Sequence, residues 1–440
     1  MSEHPLTAVV NDAFDHLVET LEDLVRTPGV SATDPAAVRR SAHQVAGLLE
    51  DAGMTGVRLL EVEDAHPAVY GELLGPEGAP TVLLYAHHDV QPPGPGWEGE
   101  PFEPRTVDGR LFGRGSADDK AGVVVHLASI LAHRDAPPVT IKAFIEGEEE
   151  IGSPHLPTFL DRFGDLLAAD VIVIADSGNW RVGAPSFTTS LRGLVDCVVE
   201  VRTHRQAVHS GLFGGVLPDA LTVLSRLLAT LHDADGSVAI GGLVASDADP
   251  LDLTDEEIRS SAGAVDGLQL IGRGTLTSRL WHQPAIAVLG IDAPPVDQAA
   301  NALMPSARAK VSMRLAPGQD PATAFDALAA HLEGHAPWGA QVTVTRGGAG
   351  EAFALEATGP AYDAWAHGFR EAWGVDPVEI GVGGSIPFVA AFSASMPGAP
   401  ILLTGVTEPT SNAHGPDESV DLEDLRKMCI AQAIALADLG

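Results

Sequence analysis

The residues with the clearest capacity for chemistry form an acidic run, Glu146–Glu150, with the sequence Glu-Gly-Glu-Glu-Glu. It follows residues 139–145, whose largely apolar composition predicts a buried strand. Carboxylates a few ångströms apart repel each other, so the pKa of at least one must rise unless a cation lies among them. Most charge runs are solvated faces, which makes an acidic turn the simplest interpretation. The alternative is a two-metal site in which one glutamate is a ligand and its neighbour is the general base.

A second polar group follows the run 81–86, which is apolar on both faces and therefore predicts a central strand of a parallel sheet. His87 and Asp89 come directly after this run. Because side chains alternate along a strand, His87 and Asp89 point to one side and His88 points to the other. This strand end therefore offers an imidazole and a carboxylate on the same side.

Three further candidates lie near the ends of other elements. Asp176 and His414 follow two more apolar runs, and Asp118 opens a helix in a glycine-rich segment, where backbone N–H groups favour an anion. In open α/β sheets, functional sites gather beyond the carboxyl ends of the strands. We therefore expect these side chains to converge with Glu149 and Glu150.

Imidazole and carboxylate ligands together suit zinc, with manganese or cobalt as alternatives. Three carboxylates and two histidines fit a pair of ions ~3.5–4 Å apart that share one bridging carboxylate. Such a site activates water, so hydrolysis is the chemistry that the pattern indicates.

Each candidate also has a simpler interpretation when it is taken alone. Asp118 fits a helix N-cap, Asp89 and Asp176 fit polar residues that solubilise strand ends, and any one histidine fits an ordinary surface or hydrogen-bonded position. The joint pattern, rather than any single residue, favours the metal site.

Composition limits the classes of function. The 440 residues allow two or three domains, and 45% hydrophobic with 20% charged residues is ordinary for a soluble globular protein. The 26 Lys and Arg against 60 Asp and Glu give a net charge of −34. Nucleic acids and anionic membrane surfaces are polyanions, so neither is an expected partner.

The two cysteines, Cys197 and Cys429, lie in no metal-binding or redox motif and are expected to be buried thiols in a reducing compartment. No signal peptide is visible, and no apolar stretch approaches the ~18 residues of a membrane span. We expect a cytoplasmic protein.

The elements that must position the candidates alternate between strand and helix up to residue 188 and again after residue 350. This alternation predicts an α/β/α sandwich around a mostly parallel central sheet. Residues 189–350 instead predict the order β-α-β-β-α-β, which is the ferredoxin-like split motif. We therefore expect a catalytic domain in two parts, 1–188 and 351–440, interrupted by an inserted α+β domain, 189–350.

Taken in order along the chain, these motifs resemble those of the co-catalytic dizinc exopeptidases and deacylases. That family includes carnosinase-like dipeptidases, glutamate carboxypeptidase, aminoacylase and succinyl-diaminopimelate desuccinylase. The resemblance covers essentially the whole chain and is closest to the carnosinase-like dipeptidase branch. The segments that carry it are Tyr85–Pro92, Gly113–Lys120, Glu146–Ser153, Asp176, Val208–Gly215 and His414.

The resemblance implies a set of ligands for two zinc ions per subunit. Asp118 would bridge the two ions, His87 and Asp176 would complete one, and Glu150 and His414 would complete the other.

The resemblance also implies roles for residues around the metals. Glu149 would be the general base that takes a proton from water and passes it to the leaving amine. Asp89 would orient His87 through its other ring nitrogen. The peptide bond between Asp118 and Asp119 is expected to be cis.

By the same resemblance, the inserted domain forms a homodimer and closes over the substrate as a lid. His209 would reach the partner subunit's active site and stabilise the oxyanion. Arg314 and Asn301 would bind the C-terminal carboxylate of the substrate, and Gly384 and Ser385 would contact its backbone.

One departure concerns Gly381-Val382, where close dipeptidase relatives usually carry a charged pair, and it bears on the side-chain preference of the substrate pocket.

The function implied is a metallopeptidase that hydrolyses the amide bond of dipeptides or short peptides with water activated between two zinc ions. An N-acyl amino acid or succinyl-diamine deacylase with the same machinery is the alternative enzyme. From a different class, the chain could be a catalytically silent binding relative, or an acidic α/β protein without metal.

Overall fold

The computed structural model describes residues 4–383 and 387–440 and divides them into two compact units. The first unit contains the residues up to Thr189, Leu355–Ile380 and the residues from Pro387 onward. The second contains Ser190–Ala354 and, of the described residues after it, residues 381–383. Three strands lie where the chain passes between the units: Ser186–Leu191, Phe353–Ala354 and Val378–Val382.

The first unit is built on a six-stranded sheet in which the last four strands in spatial order are parallel. In that order the strands are Thr55–Leu60, Ala68–Leu73, Thr140–Glu146, Thr81–His87, Val171–Ile174 and Ile401–Leu403. A small antiparallel sheet beside it consists of Arg105–Val107, Arg110–Phe112 and Ser419–Asp421. The predicted mostly parallel central sheet is confirmed.

The strand Thr81–His87 is central because its side chains are apolar on both faces. Val82 and Leu84 point into the main hydrophobic core, and Tyr85 points into an aromatic cluster that includes Phe144 and Phe388. A strand of this kind loses apolar contacts on either side if it moves, so its carboxyl end at His87 is held rigidly.

Helices cover the sheet, and they begin where capping residues allow. Asp119 accepts a hydrogen bond from the Gly122 amide and caps the helix Lys120–His133. Asp118, which the sequence offers as an alternative N-cap, is therefore not the cap. The helices of this unit are Pro5–Val25, Pro35–Asp51, Lys120–His133, Leu156–Leu167, Pro360–Trp373, Pro387–Ser395 and Leu422–Leu439.

One buried histidine in this core predicts a dependence of stability on pH. The His126 ring lies 2.9 Å from the Tyr85 carbonyl oxygen and 3.0 Å from the Gln432 amide nitrogen, and burial lowers its pKa from 6.5 to about 4. As the pH falls, the unfolded chain takes up a proton before the folded protein does, so stability is lost between pH 6.5 and 4. His126 should contribute roughly 3 kcal/mol to this loss. Denaturant unfolding of wild type and His126→Asn across this range measures it, and equal pH slopes would contradict it.

The second unit has the order β-α-β-β-α-β, which confirms the ferredoxin-like motif. Its strands are Gly193–Arg202, Ala285–Asp292, Ser306–Leu315 and Gln341–Gly350, and its two long helices are Ala220–Leu228 and Pro321–Gly334. The sheet is antiparallel, with Ala285–Asp292 at one edge and Gln341–Gly350 at the other. Shorter elements are Val208–His209, Ser210–Phe213, Asp255–Ser261 and Ala302–Leu303.

Across residues 4–383 and 387–440, no helix combines the length and the apolar character needed to cross a membrane. The cytoplasmic location stays a prediction.

Candidate metal centre

The end of the central strand presents His87 and Asp89, both fully buried. The His87 Nδ1 lies 3.1 Å from the Asp89 carbonyl oxygen and 3.4 Å from its carboxylate. The Asp89 carboxylate also accepts the amide N–H groups of Glu149 and Glu150, at 3.2 and 3.1 Å. His88 points away and contacts the Pro67 carbonyl oxygen. Asp89 thus ties the histidine to the acidic run of the neighbouring strand and leaves the His87 Nε2 free to face the site.

The acidic run begins at the last residue of the strand Thr140–Glu146 and continues into a turn. The strand stops at Glu146, and Glu149–Ile151 form a single 3₁₀ turn. The turn, together with the Asp89 carboxylate that accepts both amides, sets the positions of Glu149 and Glu150.

The other two glutamates of the run, Glu146 and Glu148, are buried and hydrogen-bonded, so the interpretation of the run as a solvated face does not hold for them. Glu146 accepts a hydrogen bond from the Tyr85 hydroxyl at 2.6 Å. Glu148 accepts the His66 amide at 2.7 Å and contacts the His155 Nδ1 at 2.9 Å. Both carboxylates support the turn that carries Glu149 and Glu150.

Asp118 lies between two histidines. One of its carboxylate oxygens is 3.1 Å from the His87 Nε2, and the other is 3.0 Å from the His414 Nε2. The His414 Nε2 is also 3.0 Å from a Glu150 oxygen. The peptide bond between Asp118 and Asp119 is cis.

Asp176 and Glu149 complete the cluster around His87. Their carboxylate oxygens lie 3.9 and 3.8 Å from the His87 Nε2. In the described part of the chain, two groups of three side chains bring their ligand atoms within 4.8 Å of one another. One group is His87, Glu149 and Asp176, and the other is His87, Asp118 and Glu150. Glu149 therefore lies close enough to His87 to act as a metal ligand, although the resemblance implies that it is the general base.

The two histidines are surrounded by negative charge. Hydrogen bonding to Asp118 and Glu150 raises the pKa of His414 to about 10. Burial lowers the pKa of His87, but hydrogen bonds to Asp118 and Asp89 outweigh it and raise that pKa well above its ordinary value. A cation that replaces these protons would meet the same negative surroundings.

The pKa values of the acids in the cluster are also shifted by burial and by neighbouring charges. Burial raises the pKa of Asp176 well above its ordinary value, with Glu149 adding to the effect, and burial raises the pKa of Glu149 to about 7. Burial also raises the pKa of Asp118, but hydrogen bonds to His414 and His87 outweigh it, and that pKa falls below its ordinary value. Buried carboxylates in such number are stable as anions only when positive charge lies among them.

The residues present fit a pair of divalent ions. The set contains two imidazoles and four carboxylates, and the two oxygens of Asp118 face different histidines. Nitrogen and oxygen ligands without sulfur suit zinc, manganese or cobalt.

In the second unit His209 and Asn301 lie on neighbouring segments, whereas Arg314 lies towards the far end of the strand Ser306–Leu315. His209 pairs with Ala302, and the Ser210 amide donates to the Asn301 carbonyl oxygen at 3.0 Å. The Gly211 amide donates to the His209 Nδ1 at 3.0 Å, so the proton of the neutral ring lies on Nε2. Arg314 lies near the end of the strand Ser306–Leu315, opposite Leu194. Gly384 and Ser385 lie outside the described residues.

Sequence reasoning missed Glu418, which is fully buried. Its carboxylate accepts hydrogen bonds from the Arg114 guanidinium and from the amides of Gly115, Ala117 and Asp118. The partners are about 300 residues apart in sequence, so no local pattern links them. Its position four residues after His414 is the one signal that the sequence offers.

Comparison with known proteins adds a family to this geometry. The model of peptidase family M20/M25/M40 matches residues 83–436, which include every candidate ligand. The chain belongs to this peptidase family. It is therefore a hydrolase of the metallopeptidase class, and the resemblance seen in the sequence is confirmed at the level of the family.

Individual relatives of this M20 peptidase are dipeptidases by name. It is 35% identical to cysteinylglycine-S-conjugate dipeptidase of Corynebacterium striatum, over 91% of this chain and 90% of that protein. It is 27% identical to β-Ala-His dipeptidase of Rattus norvegicus, over 86% and 84% of the two chains. The structure of human carnosine dipeptidase 1 matches with a TM-score of 0.78 and 24% identity, over 99% of this chain and 98% of that one, and so shares its fold.

Proposed function

We propose that this chain is a dizinc-dependent dipeptidase that hydrolyses the amide bond of dipeptides or short peptides. The observation that carries the proposal is the position of Asp118, with one oxygen 3.1 Å from His87 and the other 3.0 Å from His414. A carboxylate shared by two histidines is the arrangement that a bridged pair of ions requires. The dipeptidase names of the relatives support the substrate class.

In this proposal His87, Asp118 and Asp176 would hold one zinc ion, and Asp118, Glu150 and His414 would hold the other. Manganese and cobalt suit the same ligands. When bound, such ions polarise the scissile carbonyl and lower the pKa of the attacking water.

Glu149 is the proposed general base. Its carboxylate lies 3.8 Å from the His87 Nε2, and its amide is held by the Asp89 carboxylate at 3.2 Å. It takes the proton of the attacking water and returns it to the leaving amine. Asp89 positions both His87 and the turn of Glu149, and so fixes the proposed base, Glu149, relative to the proposed ligand, His87.

His209, Asn301 and Arg314 are proposed substrate contacts of the inserted domain. Because the Nδ1 of His209 accepts the Gly211 amide, its Nε2 is left to donate a hydrogen bond to an oxyanion. Arg314 offers a guanidinium to a substrate carboxylate. Gly384 and Ser385 stay predictions from the sequence.

A homodimer is proposed on the basis of exposed apolar residues in the second unit. Ala285–Asp292 is an edge strand, and among the residues that the structure describes no strand pairs with its outer side. It exposes Val288, Leu289 and Ile291. The segment after His209 exposes Leu212, which is 76% accessible. Exposed apolar edges of this kind favour pairing with a second chain.

The test of the function is a hydrolysis panel with metal analysis on the same sample. Cysteinylglycine conjugates, β-alanyl dipeptides, other dipeptides and N-acyl amino acids are compared at equal enzyme concentration. Faster cleavage of free dipeptides supports the proposal, whereas faster cleavage of N-acyl amino acids supports a deacylase instead. Less than one metal ion per chain after gentle purification would overturn the metal-dependent mechanism.

The proposed role of His209 predicts complementation between subunits. His209→Ala should lower kcat and leave the metal content unchanged. When it is mixed with a variant lacking the base, Glu149→Gln, activity should recover to about a quarter of wild type, because half of the dimers are mixed and each has one intact site. Subunit exchange is verified by native mass spectrometry. If exchange occurs without recovery, His209 does not act across the interface.

A further inference from the structure

A buried ion pair lies directly behind the proposed metal ligands. The Arg114 and Glu418 side chains are 1% and 0% exposed, and their nearest atoms are 2.5 Å apart. Both Glu418 oxygens accept hydrogen bonds from N–H donors: Oε2 from Arg114 and Gly115, and Oε1 from Ala117 and Asp118. Each of these partners is a hydrogen-bond donor, so together they satisfy a charged carboxylate.

The pair joins the two chain segments that meet in the centre. On one side, the Glu418 carboxylate holds the Asp118 amide at 3.0 Å, and its carbonyl oxygen accepts the Gly113 amide at 2.9 Å. On the other side, the Arg114 guanidinium donates to the Gly415 carbonyl oxygen at 3.1 Å. Gly415 directly follows His414. The backbones that carry Asp118 and His414 are thus fastened to the same two side chains.

The His414 backbone has a positive φ, which is uncommon for residues other than glycine. Its φ is +63°, in the left-handed region, and the Gly415 amide closes a tight turn onto the Asn412 carbonyl oxygen at 2.7 Å. Tertiary contacts must maintain this conformation, and the hydrogen bond from Arg114 to Gly415 is one of them.

We propose that the Arg114–Glu418 pair is a positioning element that sets the separation of Asp118 and His414. It thereby sets the affinity of the centre for the ion that Glu150 and His414 would hold. This inference rests on the proposed two-metal function. Residues that orient ligands in this way commonly change metal affinity by 10–100-fold.

The test is a comparison of metal affinity in two glutamate-to-glutamine variants. Glu418→Gln removes the charge and directs an amide N–H₂ group towards N–H donors. The matched control is Glu408→Gln. Glu408 is also buried and pairs with an arginine, Arg110, at 2.6 Å, but within the described part of the chain its carboxylate is otherwise hydrogen-bonded only to Thr410 and Ser411. Zinc binding to metal-free protein is measured by competition with a chromophoric chelator, and unfolding temperatures are measured in parallel.

We expect Glu418→Gln to weaken binding of one zinc ion by 10–100-fold, with the other ion and Glu408→Gln near wild type. Unchanged zinc affinity in Glu418→Gln would overturn the proposal, as would equal weakening in both variants, which would mean a general loss of stability. If Glu418→Gln does not fold, Arg114→Lys is decisive. It keeps the positive charge but lacks the fork that reaches Gly415, and wild-type affinity in this variant would also contradict the proposal.

Because zinc binding is measured without substrate, the two hypotheses fail separately. A wild-type protein that binds two ions but cleaves no peptide contradicts the proposed dipeptidase and leaves the role of the pair intact. Cobalt replacement adds a direct readout, since the visible absorption of Co²⁺ reports coordination geometry and should change in Glu418→Gln but not in Glu408→Gln.

Discussion

Replacement of Glu149 with glutamine should lower kcat by roughly 10²–10⁴-fold while the metal content stays at the wild-type level. Glutamine has nearly the same shape as glutamate, but its amide cannot take up a proton at neutral pH. The Asp89 contact to the backbone amide of residue 149 does not depend on the side chain and should persist. Steady-state kinetics on a dipeptide and elemental analysis of the same sample measure both quantities.

This variant also separates two roles for Glu149, because its carboxylate lies as close to His87 as that of Asp176 does. Loss of a metal ion together with activity would identify Glu149 as a ligand instead of a base. Turnover near wild type would exclude both roles. Glu149→Asp serves as the control, since it keeps a carboxylate on a shorter side chain and should retain more activity than the glutamine variant.

Replacement of Asp118 with asparagine should remove both metal ions, whereas replacement of Asp176 should remove one. Asp118 faces His87 with one oxygen and His414 with the other, and Asp176 lies beside His87. An amide offers one neutral oxygen where the bridging carboxylate offers two charged ones. Without the Lewis acids, kcat/KM should fall by at least about 10³-fold.

The measurement is zinc per chain in the two asparagine variants, with circular dichroism to verify the fold. Two ions retained by Asp118→Asn would contradict the bridging role. Loss of both ions from Asp176→Asn would contradict its assignment to the His87 side alone.

Much of the fold followed from the order of apolar runs. The run at 81–86 is apolar on both faces, and it forms the central parallel strand that ends at His87. The change of pattern near residue 189 correctly indicated the ferredoxin-like motif. These features are local, because burial on one or both faces of a strand leaves a direct record in the residue types.

The placement of the glutamates in the acidic run is harder to predict from the sequence. A run of charges gives no indication of a 3₁₀ turn, and the burial of Glu146 and Glu148 depends on Tyr85, His66 and His155, which come from other elements. Gly384 and Ser385 lie outside the described residues, and their roles stay predictions.

By itself, the sequence determined which chemistry was available. It supplied imidazoles and carboxylates after strands whose carboxyl ends must meet at one edge of a parallel sheet, and motifs that resemble the family to which the chain belongs. Only the tertiary structure decided how Asp118 and His414 come within 3.0 Å of each other. Segments about 300 residues apart meet through Arg114 and Glu418, and a buried pair of this kind is specified by the packing of the whole unit rather than by any local pattern.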